Sequence, residues 1–241
     1  VELAMVAWRV TSQEKVIGGE ARSRWRLHPL RIDLQEGFVR AISGTASGTL
    51  RGTATLHLTP LLDMQSTYIV EGGMPRLEMF WLDGSVEGAL APLDLRVTGQ
   101  GEATQTDLGL VALHVAGRID TASAHADAFD VQLAGGHIRG VMAWDQVANG
   151  LQVHADIDSL GLGQLTAGQL SGAVAGRGEL GGTLDSLDVV TDLHAPSIAG
   201  IAVDDVDLSL QAHLQGNQLT VQAHSDHMGT LAATGHFDLP T

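Results

Sequence analysis

Residues Val206–Ala223 read VDLSLQAHLQGNQLTVQA, and this stretch decides the fold class. Apolar and polar side chains alternate along both halves, which places the two sets on opposite faces of a strand. The Gly-Asn dipeptide between the halves is typical of a two-residue hairpin loop. Such a loop sets Leu214 opposite Leu219 and Ala212 opposite Val221, so the apolar faces coincide. The stretch therefore predicts two antiparallel strands with one apolar, dry face and one polar, wet face.

Two further loops, AGGH and ANGL, predict hairpins of the same kind. A Gly135–Gly136 loop would place Leu133 opposite Ile138. An Asn-Gly loop in ANGL would place Trp144 opposite Ala155, both on the dry face. Coincident apolar faces in all three hairpins would arise by chance about one time in eight, because each register has two parities. We therefore expect an antiparallel meander.

Alternation extends along most of the 241 residues, and helical periodicity is hard to find. The least regular part is Pro60–Gly84, which could form a short helix, a bent strand pair or a plug. Ordinary core packing explains its methionines and aromatic residues. No linker or low-complexity tract marks a domain boundary. The chain is therefore expected to be a single repetitive β segment over residues 1–241, cut from a longer protein.

The composition excludes several classes of function. Thirteen Lys and Arg residues against 28 Asp and Glu residues give a net charge of −15, which argues against nucleic-acid binding. There is no cysteine, so disulfides and thiolate metal sites are excluded, and an oxidising compartment would suit the chain. No run approaches the roughly 18 apolar residues of a membrane span.

Eleven histidines raise the possibility of a metal site. However, neither the HSDH segment nor the VDDVD segment has the ligand spacing of a known zinc or calcium motif. No recognisable pairing of a nucleophile with a base appears. We therefore expect no metal, no cofactor and no enzymatic activity. Most of the histidines fall on the polar parity of predicted strands: His57, His114, His137, His154, His194, His213, His224 and His236.

The segment GRGELGG, residues 176–182, fits the G-x-G-x-x-G pattern of dinucleotide-binding sites. That pattern must open a helix, whereas the residues that follow Gly182 alternate like a strand. GELGGTLDSLDV, from Gly178, also resembles GSVEGALAPLDL, from Gly84, and a shorter echo begins at Gly48. A recurring motif belongs to the architecture, and glycine within a strand marks a bulge or bend. The predicted structural bends are Gly84, Gly88, Gly178 and Gly182.

The glycine motif carries a family resemblance. LSGAVAGRGELGGTLDSLDVVTDLHAPSIAGIAVDDVDLSLQAHLQGNQLTVQAHS resembles the glycine-punctuated repeats of the TamB branch of the AsmA-like family. GGHIRGVMAWDQVANGLQVHADIDSLGLGQLTAGQLSG is similar to the segment that commonly precedes those repeats. The match is closest over residues 105–241 and looser over 1–104. The motif consists of glycines, leucines and alternation, so it is moderately specific.

The resemblance implies an all-β fold, a curled antiparallel sheet with an apolar concave face, described as a β-taco or β-groove. It also implies a periplasmic location, an inner-membrane anchor, transport of phospholipid between the inner and outer membranes, and a linked role in outer-membrane protein assembly. The Omp85-type partner TamA would bind another part of the full-length chain. No nucleic-acid partner is expected.

The patterning and the resemblance together predict residues that line the groove and contact acyl chains: Phe129, Val131, Leu133, Ile138, Met142, Leu151, Val153, Ile157, Leu187, Val189, Leu193, Leu208, Leu210, Leu214, Leu219 and Val221. A structural or adhesive β module with a sealed core is the alternative. Alternation does not distinguish the two, because an open groove and a closed sandwich need the same pattern.

Overall fold

A computed structural model gives the structure of the chain and describes residues 2–12, 15–43, 46–58, 62–74, 77–106, 108–183, 186–199, 203–215, 218–226 and 229–236. The chain forms two compact units, Val1–Thr121 and Ala122–Thr241. In each unit every strand pairs antiparallel with the strand that follows it. The predicted all-β antiparallel meander is therefore confirmed.

The described residues of the first unit form eight strands: β1 Glu2–Ser12, β2 Lys15–His28, β3 Arg31–Ser43, β4 Ala46–His57, β5 Asp63–Met74, β6 Leu77–Leu90, β7 Leu93–Gln105 and β8 Gly109–Asp120. The least regular part of the sequence forms most of the β5–β6 pair, so it is a strand pair. Tyr68 and Phe80 lie on one face of this pair, whereas Trp81 lies on the other, opposite Glu71.

In the part of the second unit that the structure describes, there are eight strands and one short helix: β9 Ser123–Leu133, β10 Gly136–Asp145, β11 Gly150–Gly161, α1 Leu162–Leu165, β12 Ala173–Thr183, β13 Ser186–Ile198, β14 Val203–Gln215, β15 Gln218–Ser225 and β16 Gly229–His236. Within the described ranges, no helix has the length and apolar character needed to cross a membrane.

The register of the β14–β15 hairpin is the one predicted from the sequence. Leu214 lies opposite Leu219, and Ala212 lies opposite Val221. The loop residues Gly216 and Asn217 lie outside the described residues. The prediction succeeds here because Gln215 is paired with Gln218, so a connection of two residues selects the expected register among those that pair the apolar faces.

Cysteines at directly opposed positions of this hairpin should form a disulfide. The Cβ atoms of such a pair lie about 4.5–5.5 Å apart, so Ala212→Cys with Val221→Cys is expected to cross-link on mild oxidation. The chain has no native cysteine, which leaves no competing thiol. A mobility shift on non-reducing gels measures the yield. Ala212→Cys with Gln222→Cys is the control, because Gln222 lies on the opposite face, and an equal yield from both pairs would contradict the register.

The predicted loop of the β9–β10 hairpin was wrong by one position. The turn residues are Ala134 and Gly135, with φ values of 50° and 75°. Leu133 therefore lies opposite Gly136 and not opposite Ile138. Two successive positive φ values are typical of a type I′ turn, which matches the twist of the strands it joins. The dry faces still coincide, because this shift moves the pairing by an even number of residues.

The predicted register of the β10–β11 hairpin was also wrong. Trp144 lies opposite Leu151 and not opposite Ala155, because the connection is a four-residue turn over residues 146–149. One carboxylate oxygen of Asp145 accepts hydrogen bonds from the backbone N–H groups of Val147 and Ala148, at 2.8 and 2.9 Å. This Asx-type interaction stabilises the longer turn. Again the shift is even, and the apolar faces coincide.

Candidate functional site: the apolar face

The sixteen predicted lining residues lie on one face of the second unit. Cross-strand pairing connects them in rows, for example from Met142 through Val153 and from Val189 through Ala212 to Val221. The remaining pairs place the other predicted lining residues on the same side across β9–β15, although register shifts interrupt the β9–β10 and β11–β12 ladders near one end. The apolar face therefore continues from strand to strand without a change of side.

None of these sixteen side chains is fully buried. Met142 is 38% exposed, and the other fifteen are half-buried. A sealed core would hold side chains such as Leu210 and Val153 almost completely away from solvent. In the second unit, the apolar face is thus shielded by neighbouring side chains but remains accessible to solvent or to a ligand.

One end of this face is closed. Four buried residues form two cross-strand pairs on β11–β14, Leu160 with Val174 and Ala195 with Val206. Between Leu160 and Val174 the chain forms α1 and a loop. Two backbone hydrogen bonds between Ser171 and Ala199, of 2.9 and 3.0 Å, anchor this loop. The sequence pattern did not indicate this buried group. Its only signal is the break in alternation at the segment GLGQL.

The predicted glycine bends differ in how tightly they are packed. Gly88 and Gly182, which are equivalent in the sequence repeat, have φ values of 135° and 130°, and residues with side chains rarely adopt such values. At Gly84, a Cβ atom would overlap the carbonyl oxygen of Thr98 on the next strand. Gly178 differs, because a Cβ there would meet its nearest neighbour at an ordinary 3.7 Å.

Aromatic rings lie over glycines on the dry face in both units. Phe129 lies over Gly140, to which it is paired, and a Cβ on Gly140 would come within 2.8 Å of that ring. Tyr68 crosses Gly84 and donates a hydrogen bond of 3.2 Å from its hydroxyl to the carbonyl of Thr98. Burial, followed by the charge of Asp83, raises the pKa of this tyrosine. The glycines thus leave room for rings that cover the backbone of neighbouring strands.

The dry face of the first unit contains a cavity of about 480 Å³ on β2–β5. Its apolar lining includes Leu34, Val39, Leu50, Ala54 and Tyr68. Val39 and Leu50 are 37% and 43% exposed, so this surface is open as well. A volume of this size falls in the range of ligand pockets. None of the residues predicted to line the groove lies in this cavity, although residues 48–56 show the same alternation with glycine as the predicted lining segments.

The wet face carries pairs of histidine and carboxylate side chains on adjacent strands. Ring nitrogens lie 2.6 Å from a carboxylate oxygen in the His213–Asp188 pair, 2.9 Å in His194–Asp207 and 3.5 Å in His154–Glu179. In the part of the chain that the structure describes, no group of three or more histidine, aspartate or glutamate side chains is arranged to hold a metal ion. These pairs therefore act as cross-strand contacts on a solvated surface.

Asp33, on β3, is a buried carboxylate that is 9% exposed. Arg31 donates a hydrogen bond of 2.8 Å to it, and Thr55 donates one of 3.2 Å. The Nε2 atom of His28 lies 3.3 Å from a carboxylate oxygen of Asp33. The bond from Arg31 holds the pKa of Asp33 below its ordinary value, although burial opposes this. Arg118 lowers the pKa of Asp94 in the same way, through two hydrogen bonds of 2.6 and 2.7 Å.

Asp33→Asn should lower the stability of the first unit near neutral pH. A carboxylate whose pKa is depressed in the folded state stabilises that state above its unfolded pKa, and this stabilisation is lost as the pH falls through the folded pKa. The unfolding midpoint of the variant should therefore lie below that of the wild type at pH 7. The two midpoints should converge below about pH 4. Asp156→Asn, at a position 77% exposed, is the control, and a constant difference at every pH would contradict this account.

A comparison with protein-family models found no family that matches the chain, and a search of curated proteins found no significant match.

Proposed function

We propose that the dry face holds phospholipid acyl chains and that the chain is a segment of a hydrophobic path for lipid. One observation carries the proposal: sixteen apolar side chains share a face of the second unit, and none of them is fully buried. Large apolar surfaces that remain exposed usually mark a site of interaction with a protein, a membrane or an apolar ligand.

The energetics of lipid transfer favour a continuous face over isolated pockets. Keeping hydrocarbon from water is worth roughly 0.8 kcal/mol per CH₂, so an acyl chain of about 16 carbons represents on the order of 13 kcal/mol. A carrier must offset most of this free energy at every point of the path. The eight strands of the second unit, spaced at about 4.8 Å, give a face of roughly 34 Å across the strands.

The wider setting is part of the same proposal and rests on the family resemblance. It comprises phospholipid transport between the inner and outer membranes, a periplasmic location with an inner-membrane anchor, and a linked role in outer-membrane protein assembly with a TamA-like partner. The chain is proposed to act without catalysis. The resemblance is carried by the alternation and by the glycine repeat, which recurs in the backbone as the matching φ values of Gly88 and Gly182.

The alternative, a sealed structural or adhesive module, is favoured by one observation. Leu160, Val174, Ala195 and Val206 are 2–8% exposed, as expected for a closed core. They lie at one end of the face, whereas none of the sixteen lining residues is fully buried. A sealed module would need a second layer over all of these rows.

Photo-crosslinking in cells tests the proposal. A photoreactive residue at Leu208, Leu210 or Val221 should label phospholipid, because these positions lie on the dry face. The same residue at the wet-face positions Ser209 and Gln222 should not. Each wet-face position is adjacent in sequence to a dry-face position, so expression level and location are matched. Equal labelling from both faces, or none from a functional protein, would leave the sealed module as the better account.

A further inference from the structure

The basic residues of this acidic protein are concentrated at one place. Eight of the 13 Lys and Arg residues fall within residues 1–51, together with only five of the 28 Asp and Glu residues. The first 51 residues therefore carry a net positive charge, whereas the rest of the chain is strongly acidic. Seven of the eight basic residues are arginines. Arginine differs from lysine in that its planar guanidinium binds phosphate and carboxylate groups in a bidentate manner.

The register places six of these arginines on the wet face of β2–β4. Arg22 lies opposite Phe38, which in turn lies opposite Arg51. All six side chains are exposed, with Arg22 at 56% and Arg31 at 50%. We refer to the following residues as the arginine face: Arg22, Arg24, Arg26, Arg31, Arg40 and Arg51.

Phe38 lies between two guanidinium groups of the arginine face. The guanidinium carbon of Arg22 lies 5.0 Å from the ring centroid, and that of Arg51 lies 5.9 Å away. Arg22 also donates a hydrogen bond of 3.0 Å to Glu36. Glu36 shares this face with Phe38 by alternation, and a β-bulge at Gln35 brings Arg31 to the same face. These contacts hold the cationic groups in place against the aromatic ring.

The arginine face also carries exposed aliphatic side chains, where alternation would place polar ones. Ile42 and Ile69 are 42% and 45% exposed and lie at wet-face positions of β3 and β5. Ile69 is paired with Arg51, and together with Phe38 they line a shallow cavity of about 220 Å³. Aliphatic and guanidinium groups thus share one exposed surface.

We infer that the arginine face binds the anionic headgroups of a lipid membrane surface. The guanidinium groups would contact lipid phosphates, and the isoleucines would contact the apolar region just beneath the headgroups. Charge complementarity favours an anionic partner. The exposed isoleucines favour a lipid surface over a soluble acidic peptide, which offers no apolar layer. This inference does not depend on what the dry face carries.

Vesicle binding by the 241-residue chain tests the inference. Binding to phosphatidylcholine vesicles that contain roughly 30% phosphatidylglycerol should be at least tenfold tighter than binding to pure phosphatidylcholine in about 0.1 M salt, because basic side chains attract anionic surfaces. Arg40→Gln with Arg51→Gln should weaken binding to the anionic vesicles by about thirtyfold, since each basic side chain near such a surface contributes roughly fivefold. Equal binding to neutral and anionic vesicles would overturn the inference.

Arg96→Gln with Arg177→Gln is the matched control. It removes the same charge from the wet face outside the arginine face, and it should retain the affinity of the wild type. Circular dichroism and the unfolding midpoint establish that both double variants are folded. A soluble poly-glutamate peptide that binds the arginine face more tightly than the vesicles do would overturn the inference in favour of an acidic protein partner.

Discussion

Gly182→Ala is expected to lower the free energy of unfolding of the second unit by about 3 kcal/mol or more, a large effect for one methyl group. Two causes add. The φ of 130° is a conformation that alanine rarely adopts, and the new Cβ would overlap the carbonyl oxygen of Ser186 and crowd Leu187. Relief of this overlap requires β12 and β13 to move apart, which would break their ladder near the hairpin.

Gly178→Ala is the matched control for this substitution. It adds the same methyl group four residues earlier on the same strand, where the nearest atom would be the Thr191 methyl carbon at 3.7 Å. Its effect should stay within about 1 kcal/mol. Urea unfolding followed by circular dichroism measures both variants. If the two glycines prove equally tolerant, the packing of the Gly182 bend is not what constrains this strand.

Added dinucleotide should leave the unfolding midpoint of the wild type unchanged, since a ligand that binds the folded state would raise it.

Leu210→Asp is expected to block lipid passage in the full-length protein. Leu210 lies on the dry face near the middle of β14, paired with Thr191 on one side and Ala223 on the other. A carboxylate there would keep two or three methylene groups of a passing acyl chain in contact with water. This costs about 2 kcal/mol, equivalent to a roughly thirtyfold loss of binding at that point. Phospholipid that co-purifies with the protein, measured by mass spectrometry, reports the effect.

Gln211→Asp provides the control for charge and position. It introduces a carboxylate at the next residue of β14, on the wet face opposite Val190 and Gln222. Lipid content and passage should match the wild type. Loss of lipid from both variants would indicate a general effect of charge or folding, and retention of lipid by a folded Leu210→Asp protein would argue against the dry face as the path.

The parity of the side chains could be read from the sequence, whereas the register could be read only in part. All three predicted hairpins have coincident apolar faces, yet only β14–β15 has the predicted pairing. At Asp145 the carboxylate stabilises a four-residue turn, and at Ala134 the chain adopts a positive φ, so the two-residue turn begins one position earlier than predicted. Local hydrogen bonds and turn geometry choose among registers of equal parity, and alternation does not distinguish them.

The features of the candidate site could likewise be predicted from the sequence only in part. Alternation alone determined which side chains share a face, because successive residues of a strand must point to opposite sides. It could not show that Val206 is buried while Leu208, two residues away on the same face, is half-buried. It also could not show that Gly182 is tightly packed and Gly178 is not. Burial and close approach depend on neighbouring strands and loops, which are brought together only by the tertiary structure.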